Sequence, residues 1–170
     1  IFVIPYLLWF LYIGTTIAYF FFTSKEDYYK LCAYLFIGMT ICLAIYTIWP
    51  NGRNLRPTTF KRDYILVDFV KMIYRHDTHT NVFPSIHVFN SIGNHIAITT
   101  SSKLKNNKFV KFGSFILAVL ICLSTVFLKQ HSAIDGLGAI VLAIIMYFIV
   151  YVPDYSKHFR TEKDKYQFEN

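Results

Sequence analysis

The sequence predicts an all-α integral membrane helical bundle, and three observations predict it. Hydrophobic residues make up 55% of the chain and charged residues only 16%, a balance foreign to a water-soluble domain. The uncharged runs 1–24, 31–49, 112–128 and 136–152 each approach the ~17–25 residues that cross a hydrocarbon layer. The run 82–100 is also uncharged but carries Ser85, His87, Asn90, Ser91, Asn94 and His95, so it must turn a polar face toward protein or a wet cavity. Five spans are therefore expected in this chain.

The loops orient those spans. Lys103, Lys105, Lys108 and Lys111 make the loop 101–111 purely basic, and Lys157, Arg160, Lys163 and Lys165 load the tail, which places both in the cytoplasm. The loop 25–30 then lies inside as well, while 51–81 and 129–132 lie outside. The outer loop holds Arg53, Arg56, Lys61, Arg62, Lys71 and Arg75, cations that make sense if they face a phosphorylated ligand. Ile1 stands inside a span whose start falls outside by parity, so a sixth span is expected upstream in the full protein. The first run has no basic flank before it and is too long for a cleavable signal peptide. The expected organisation is a transmembrane domain over 1–153 and a cytoplasmic tail over 154–170, in the plasma membrane, with the polar motifs on the outer face.

Between the second and third spans, residues 61–75 show a helical period. Leu66, Phe69, Val70 and Ile73 fall on one face and Lys61, Asp68, Lys71 and Arg75 opposite, as in a helix lying on the membrane surface or closing over the bundle as a lid. The segment Asn81-Val82-Phe83-Pro84-Ser85 reads as a helix start with Pro84 near the first helical position. The amides of Ser85 and Ile86 would then favour an anion. Cys32, Cys42 and Cys122 lie within apolar spans without paired spacing and read as packing residues. Asp68 and Asp77 could join His79 around a divalent ion, but no ligand spacing supports it, so neither metal nor other cofactor is expected. Aromatic-flanked RNA-binding patterns are absent, and nucleic acid is not an expected partner.

Three polar segments carry the chemistry: Asn54-Leu55-Arg56-Pro57, Pro84-Ser85-Ile86-His87, and Ser124, His131 and Asp135 at a spacing of seven and four. An arginine and a serine hydroxyl can hold phosphate oxygens, one imidazole can attack phosphorus, and a second can protonate the leaving alkoxide. His131 and Asp135, at i and i+4, share a helical face, so a carboxylate can accept from one imidazole nitrogen and leave the other as nucleophile. Each group also has a plainer reading. Asp135 can serve the helix N-terminus electrostatically with His131 merely interfacial, Ser85 and His87 are unspecific alone, and Arg56 can reach lipid headgroups. What favours the chemical reading is that all three segments fall on the same predicted face. His95, two turns beyond His87, reads as a hydrogen-bonded bundle residue, and His76, His79 and His158 as solvated loop residues.

The ordered set resembles the signature motifs of the type 2 phosphatidic acid phosphatase superfamily, which also holds vanadium haloperoxidases and the inositol phosphorylceramide and sphingomyelin synthases. The likeness runs from about Arg53 to Asp135. It implies that Arg56 and Ser85 bind phosphate, His87 protonates the leaving group, His131 is the nucleophile and Asp135 orients it. This chain departs from the phosphatase pattern at Trp49 and Thr125, where the family has phosphate-binding cations; Arg53 and Lys129 are the nearest replacements. Loss of the cation at Thr125 is similar to the synthase branch. The resemblance thus implies a metal-independent membrane lipid phosphatase or headgroup phosphotransferase acting on a lipid phosphate in the bilayer through a phosphohistidine. The alternative is a non-catalytic lipid-phosphate-binding or transport protein that retains the motif.

Overall fold

The computed structural model describes residues 1–52, 55–57, 65–77 and 80–153. Among the described residues six α-helices follow one another: α1 Val3–Thr23, α2 Lys25–Ile48, α3 Ile65–His76, α4 Ile86–Thr100, α5 Lys108–Phe127 and α6 Ala133–Val150. No strand occurs among the described residues; a single antiparallel bridge joins Gly52 to Thr80. Four helices, α1, α2, α5 and α6, are long and apolar enough to cross a membrane. Only 28–33% of the residues in their most apolar windows are buried. The remaining surface presents side chains such as Phe10, Phe36, Phe112, Ile144 and Phe148 outward, which is stable against lipid and not against water. The described residues form an all-helical bundle whose four long helices suit a lipid bilayer.

The run 82–100 forms a shorter helix than the span expected for it. α4 has 15 residues, about 22 Å at ~1.5 Å per residue, and falls short of the four long helices. Its place explains its composition. α4 packs against α1, α2, α5 and α6, so Asn90, Ser91 and Asn94 are buried by protein.

Local chemistry sets the ends of the helices. Ser24 alone separates α1 from α2, and its side chain accepts the Asp27 amide of the α2 first turn. Asn107 caps α5 through the Val110 amide at 3.1 Å. Ser132 and Asp135 form a reciprocal capping box at the start of α6. Close approach of α2 and α4 requires glycine: a Cβ at Gly38 would collide with the Phe89 ring, and one at Gly93 with the Tyr34 ring. Those two rings stack with centroids 4.9 Å apart.

Inside the bundle, a polar cluster ties three helices. Asn94 Nδ2 donates to the Tyr12 carbonyl and to Thr16 Oγ1, each at 2.9 Å. Tyr12 and Ser114 share a hydrogen bond of 2.6 Å, and His95 Nδ1 lies 3.0 Å from Ser114 Oγ.

α3 is amphipathic, with a corrected apolar face. Ile73 is buried and Leu66, Val70 and Tyr74 pack around it against Val3, Tyr6 and Leu128. Phe69 points away and is 39% exposed beside Ile65 and Met72, so the helix covers the bundle end with one stripe and presents a second apolar stripe outward. Residues 61–64 of the expected helix lie outside the described residues.

The starts of α1, α4 and α6 and the ends of α2 and α5 gather at the end covered by α3. The basic loop of Lys103 and Lys105 lies at the opposite end, where Ser101 Oγ bonds Asp27 at 2.8 Å.

Candidate active site

The cavity at the α3 end has a volume of about 280 Å³ and is bordered by His87 and His131, with Tyr46, Asp77, Asn81 and Gln130 among its other walls. His87 comes from the first turn of α4 and His131 from the turn between α5 and α6. That turn is built by the chain itself. Lys129 adopts φ 56°, and the amides of Gln130 and His131 both donate to the Thr125 carbonyl, at 3.0 and 3.1 Å, folding the segment back over the end of α5. The two imidazole centroids stand 5.8 Å apart with planes at 55°. His87 is held between Tyr6, 4.8 Å away, and Trp9, 4.4 Å away.

His131 Nδ1 lies 2.9 Å from the Val82 carbonyl and donates to it, so Nε2 carries the free lone pair. This replaces the expected Asp135 bond. The Asp135 carboxylate is buried in the α6 cap, where Oδ2 accepts from the Ser132 amide at 2.6 Å and from its hydroxyl at 2.8 Å. Asp135 acts on the imidazole through its charge. Burial pushes the His131 pKa below its ordinary value; Asp135, the Val82 bond and Asp77 oppose this, while Arg56 adds to it.

Val82 is held in place by Asn51, whose Oδ1 accepts the Val82 and Phe83 amides, each at 2.9 Å. Its Nδ2 donates to the Phe83 carbonyl at 3.2 Å. Sequence alone does not single out Asn51 or Val82; the one sign of Asn51 is a polar residue directly after Pro50 at a span end.

Ser85 is fully buried as the N-cap of α4, its Oγ accepting the Val88 amide at 3.4 Å. Pro84 thus precedes the cap instead of occupying the first helical position. The Ser85 amide is taken by the Asp135 carbonyl at 3.1 Å, so it does not point at an anion, and Ser85 is not among the residues that border the cavity.

Arg56 reaches the same end from the loop 55–57. Its Nη1 donates to the carbonyls of Tyr74 at 3.1 Å and Asp77 at 2.6 Å, its Nη2 donates to Gln130 Oε1, and the guanidinium lies 4.7 Å over the Tyr74 ring. It braces α3 against the His131 turn, one residue from the nucleophile candidate. Lys129 is exposed on that turn and does not border the cavity. Arg53 lies outside the described residues. Thr125 is fully buried, its hydroxyl on the Cys122 carbonyl at 2.8 Å, and Trp49 is 66% exposed at the end of α2.

An apolar groove of about 360 Å³ adjoins the cavity and shares His87 and Asp77 with it; Tyr6, Trp9, Phe10 and Met72 help line it. A further apolar groove of about 430 Å³ between α1 and α2 continues from Trp9 and Phe10 past Ile17 and Leu35. The arrangement can hold a compact polar group between two histidines while a chain attached to it leaves through apolar surface. Comparison of the chain with protein-family models, with curated proteins and with solved structures finds no match in any of the three.

Proposed function

We propose that the protein is a membrane lipid phosphatase or headgroup phosphotransferase that works without a metal through a phosphohistidine at His131. The observation that carries this reading is the paired imidazoles at one cavity, 5.8 Å apart, with His131 Nδ1 pinned by Val82 so that Nε2 is the nucleophile. The Nε2 lone pair attacks phosphorus as the bond to the leaving alkoxide breaks, and His87 gives that oxygen its proton. Water or a lipid hydroxyl then attacks the phosphohistidine, loses its proton to His87, and releases the imidazole.

The apolar grooves joined at His87 support a lipid substrate, its chain lying along α1. Arg56 supplies positive charge behind the cavity through its bonds to the Asp77 carbonyl and Gln130. In this reading α4 is the fifth membrane-crossing element of the chain, and the site faces the outside of the plasma membrane, opposite the basic loop 101–111. A non-catalytic lipid-phosphate binder is the second reading, favoured by Trp49 and Thr125 at the positions where the resembled family has cations.

The test is an assay of the purified protein on lipid phosphates and phospholipids in chelator, with and without a diacylglycerol or ceramide acceptor, combined with trapping of acid-labile phosphate on the protein. Turnover in chelator with label lost in His131→Ala supports the enzyme. Binding without turnover or label selects the second reading, and turnover that depends on an added metal ion overturns the mechanism.

A further inference from the structure

Asp77 has no role in the two-histidine scheme, yet it stands in the cavity wall. It follows α3 directly and borders both the His87–His131 cavity and the adjoining apolar groove. Its Oδ2 receives the Tyr6 hydroxyl over a long 3.3 Å. An ionised carboxylate has about four acceptor positions, so one such bond leaves most of its capacity for a ligand. Among the described residues that border the cavity, Asp77 carries the one fixed formal charge, and its field reaches the His131 imidazole. Arg56 nearby donates to main-chain oxygens, including that of Asp77 itself, and to Gln130.

A fixed negative charge beside the phosphoryl position discriminates between substrates. A phosphomonoester brings up to two negative charges against it. A phosphodiester brings one, and its headgroup lies next to phosphorus, where an ammonium or a hydroxyl can donate to the carboxylate. We propose that Asp77 selects the substrate headgroup: it accepts hydrogen bonds from an ammonium or hydroxyl group on a phosphodiester lipid and disfavours phosphomonoester dianions. This rests on the phosphoryl-transfer reading of the same site and narrows its substrate class. The position of Asp77 between cavity and groove, where headgroup and chain diverge, suits that task.

The experiment compares the wild-type protein with Asp77→Asn and Tyr6→Phe on four lipids: phosphatidic acid, phosphatidylmethanol, phosphatidylethanolamine and phosphatidylinositol. Phosphatidylmethanol is a diester whose headgroup has no donor, and the last two separate an ammonium donor from hydroxyl donors. Wild type should favour at least one donor-bearing diester over phosphatidylmethanol. Asp77→Asn should cut kcat/KM on that diester roughly 10–100-fold, as expected for loss of a charge-assisted hydrogen bond, while leaving or raising the rate on phosphatidic acid. Tyr6→Phe should keep the wild-type ratio between substrates. An equal loss on all four lipids in Asp77→Asn, or an unchanged ratio, overturns the proposal.

Binding tests the selectivity apart from catalysis. His131→Ala protein, with and without Asp77→Asn, is melted in the presence of short-chain versions of the four lipids. Stabilisation by the donor-bearing diester should disappear with the carboxylate; equal stabilisation in both proteins rejects the role of Asp77. If no protein turns over any lipid but this binding difference appears, the catalytic reading fails while the selection by Asp77 stands.

Discussion

Two polar clusters interrupt the apolar bundle, and they differ in what they leave open. Within the helices, Asn94, Tyr12, Thr16, Ser114 and His95 bond to one another across α1, α4 and α5. None of them borders the His87–His131 cavity. At the α3 end, His87 is gripped by aromatic rings and His131 by a backbone carbonyl, and both residues border the cavity. The first cluster uses its histidine to join helices; the second spends main-chain and aromatic contacts to position its histidines and leaves Nε2 of His131 for chemistry. Residue type does not separate these uses. Access does.

The largest effect that can break this contrast is His131→Ala. Turnover should fall on the order of 10⁴-fold or more, as for loss of a nucleophile, and trapped phosphate should vanish. Label equal to wild type would place the nucleophile elsewhere. His87→Ala should cost roughly 10²–10⁴-fold on a lipid whose leaving alkoxide needs a proton. The variant should recover on an activated aryl phosphate, and a loss just as deep on both substrates would assign His87 another role.

The pH profile sharpens the contrast further. Attack needs neutral His131, and burial holds its pKa below the ordinary value of 6.5. The acid limb of kcat/KM should therefore lie below pH 6.5 and drop about tenfold per pH unit beneath it. The sign for stability agrees: a histidine whose folded pKa is lowered gives stability that is complete above its unfolded value and is lost as pH falls from about 6.5 through the folded value. A limb above pH 7 that disappears in His131→Ala would contradict the burial of this imidazole.

Asp135→Asn distinguishes capping from direct orientation. With Val82 holding Nδ1, the variant should lose less than about tenfold in turnover while losing on the order of 1 kcal/mol of stability from the α6 cap. Ser132→Ala should show the same stability loss. A collapse of turnover as deep as in His131→Ala, with Ser132→Ala unaffected, would return Asp135 to the imidazole. The smallest effect belongs to the inner cluster: Ser114→Ala should cost about 0.6–2 kcal/mol and leave kcat/KM of the folded protein unchanged.

Much of this architecture is legible in the residues themselves. Uncharged runs of span length must be helices, because lipid offers no partner to an unpaired backbone group. The ordering of Arg56, His87 and His131 at alternate span ends brings them to one end of any antiparallel bundle with these loops. The buried polar face of α4 was equally readable, since Asn90, Ser91 and Asn94 cannot face lipid.

Partner choice is where the chain alone gave out. Spacing put Asp135 within reach of His131, but Ser132 offers it an amide and a hydroxyl one turn away, and the local cap takes the carboxylate. Ser85 likewise resolves into a helix cap. The hydrogen bond that sets the His131 tautomer comes from Val82, 49 positions away and held by Asn51. Asp77 enters the cavity because α3 folds across the bundle end, and Phe69 turns outward because Ile73 and Tyr74 claim the packed side. Composition and period determined that there would be spans, and which residues could not face lipid, because those are costs each residue bears alone. Which donor met which acceptor was decided only by tertiary structure, because such pairings depend on groups distant in the chain arriving within about 3 Å of one another.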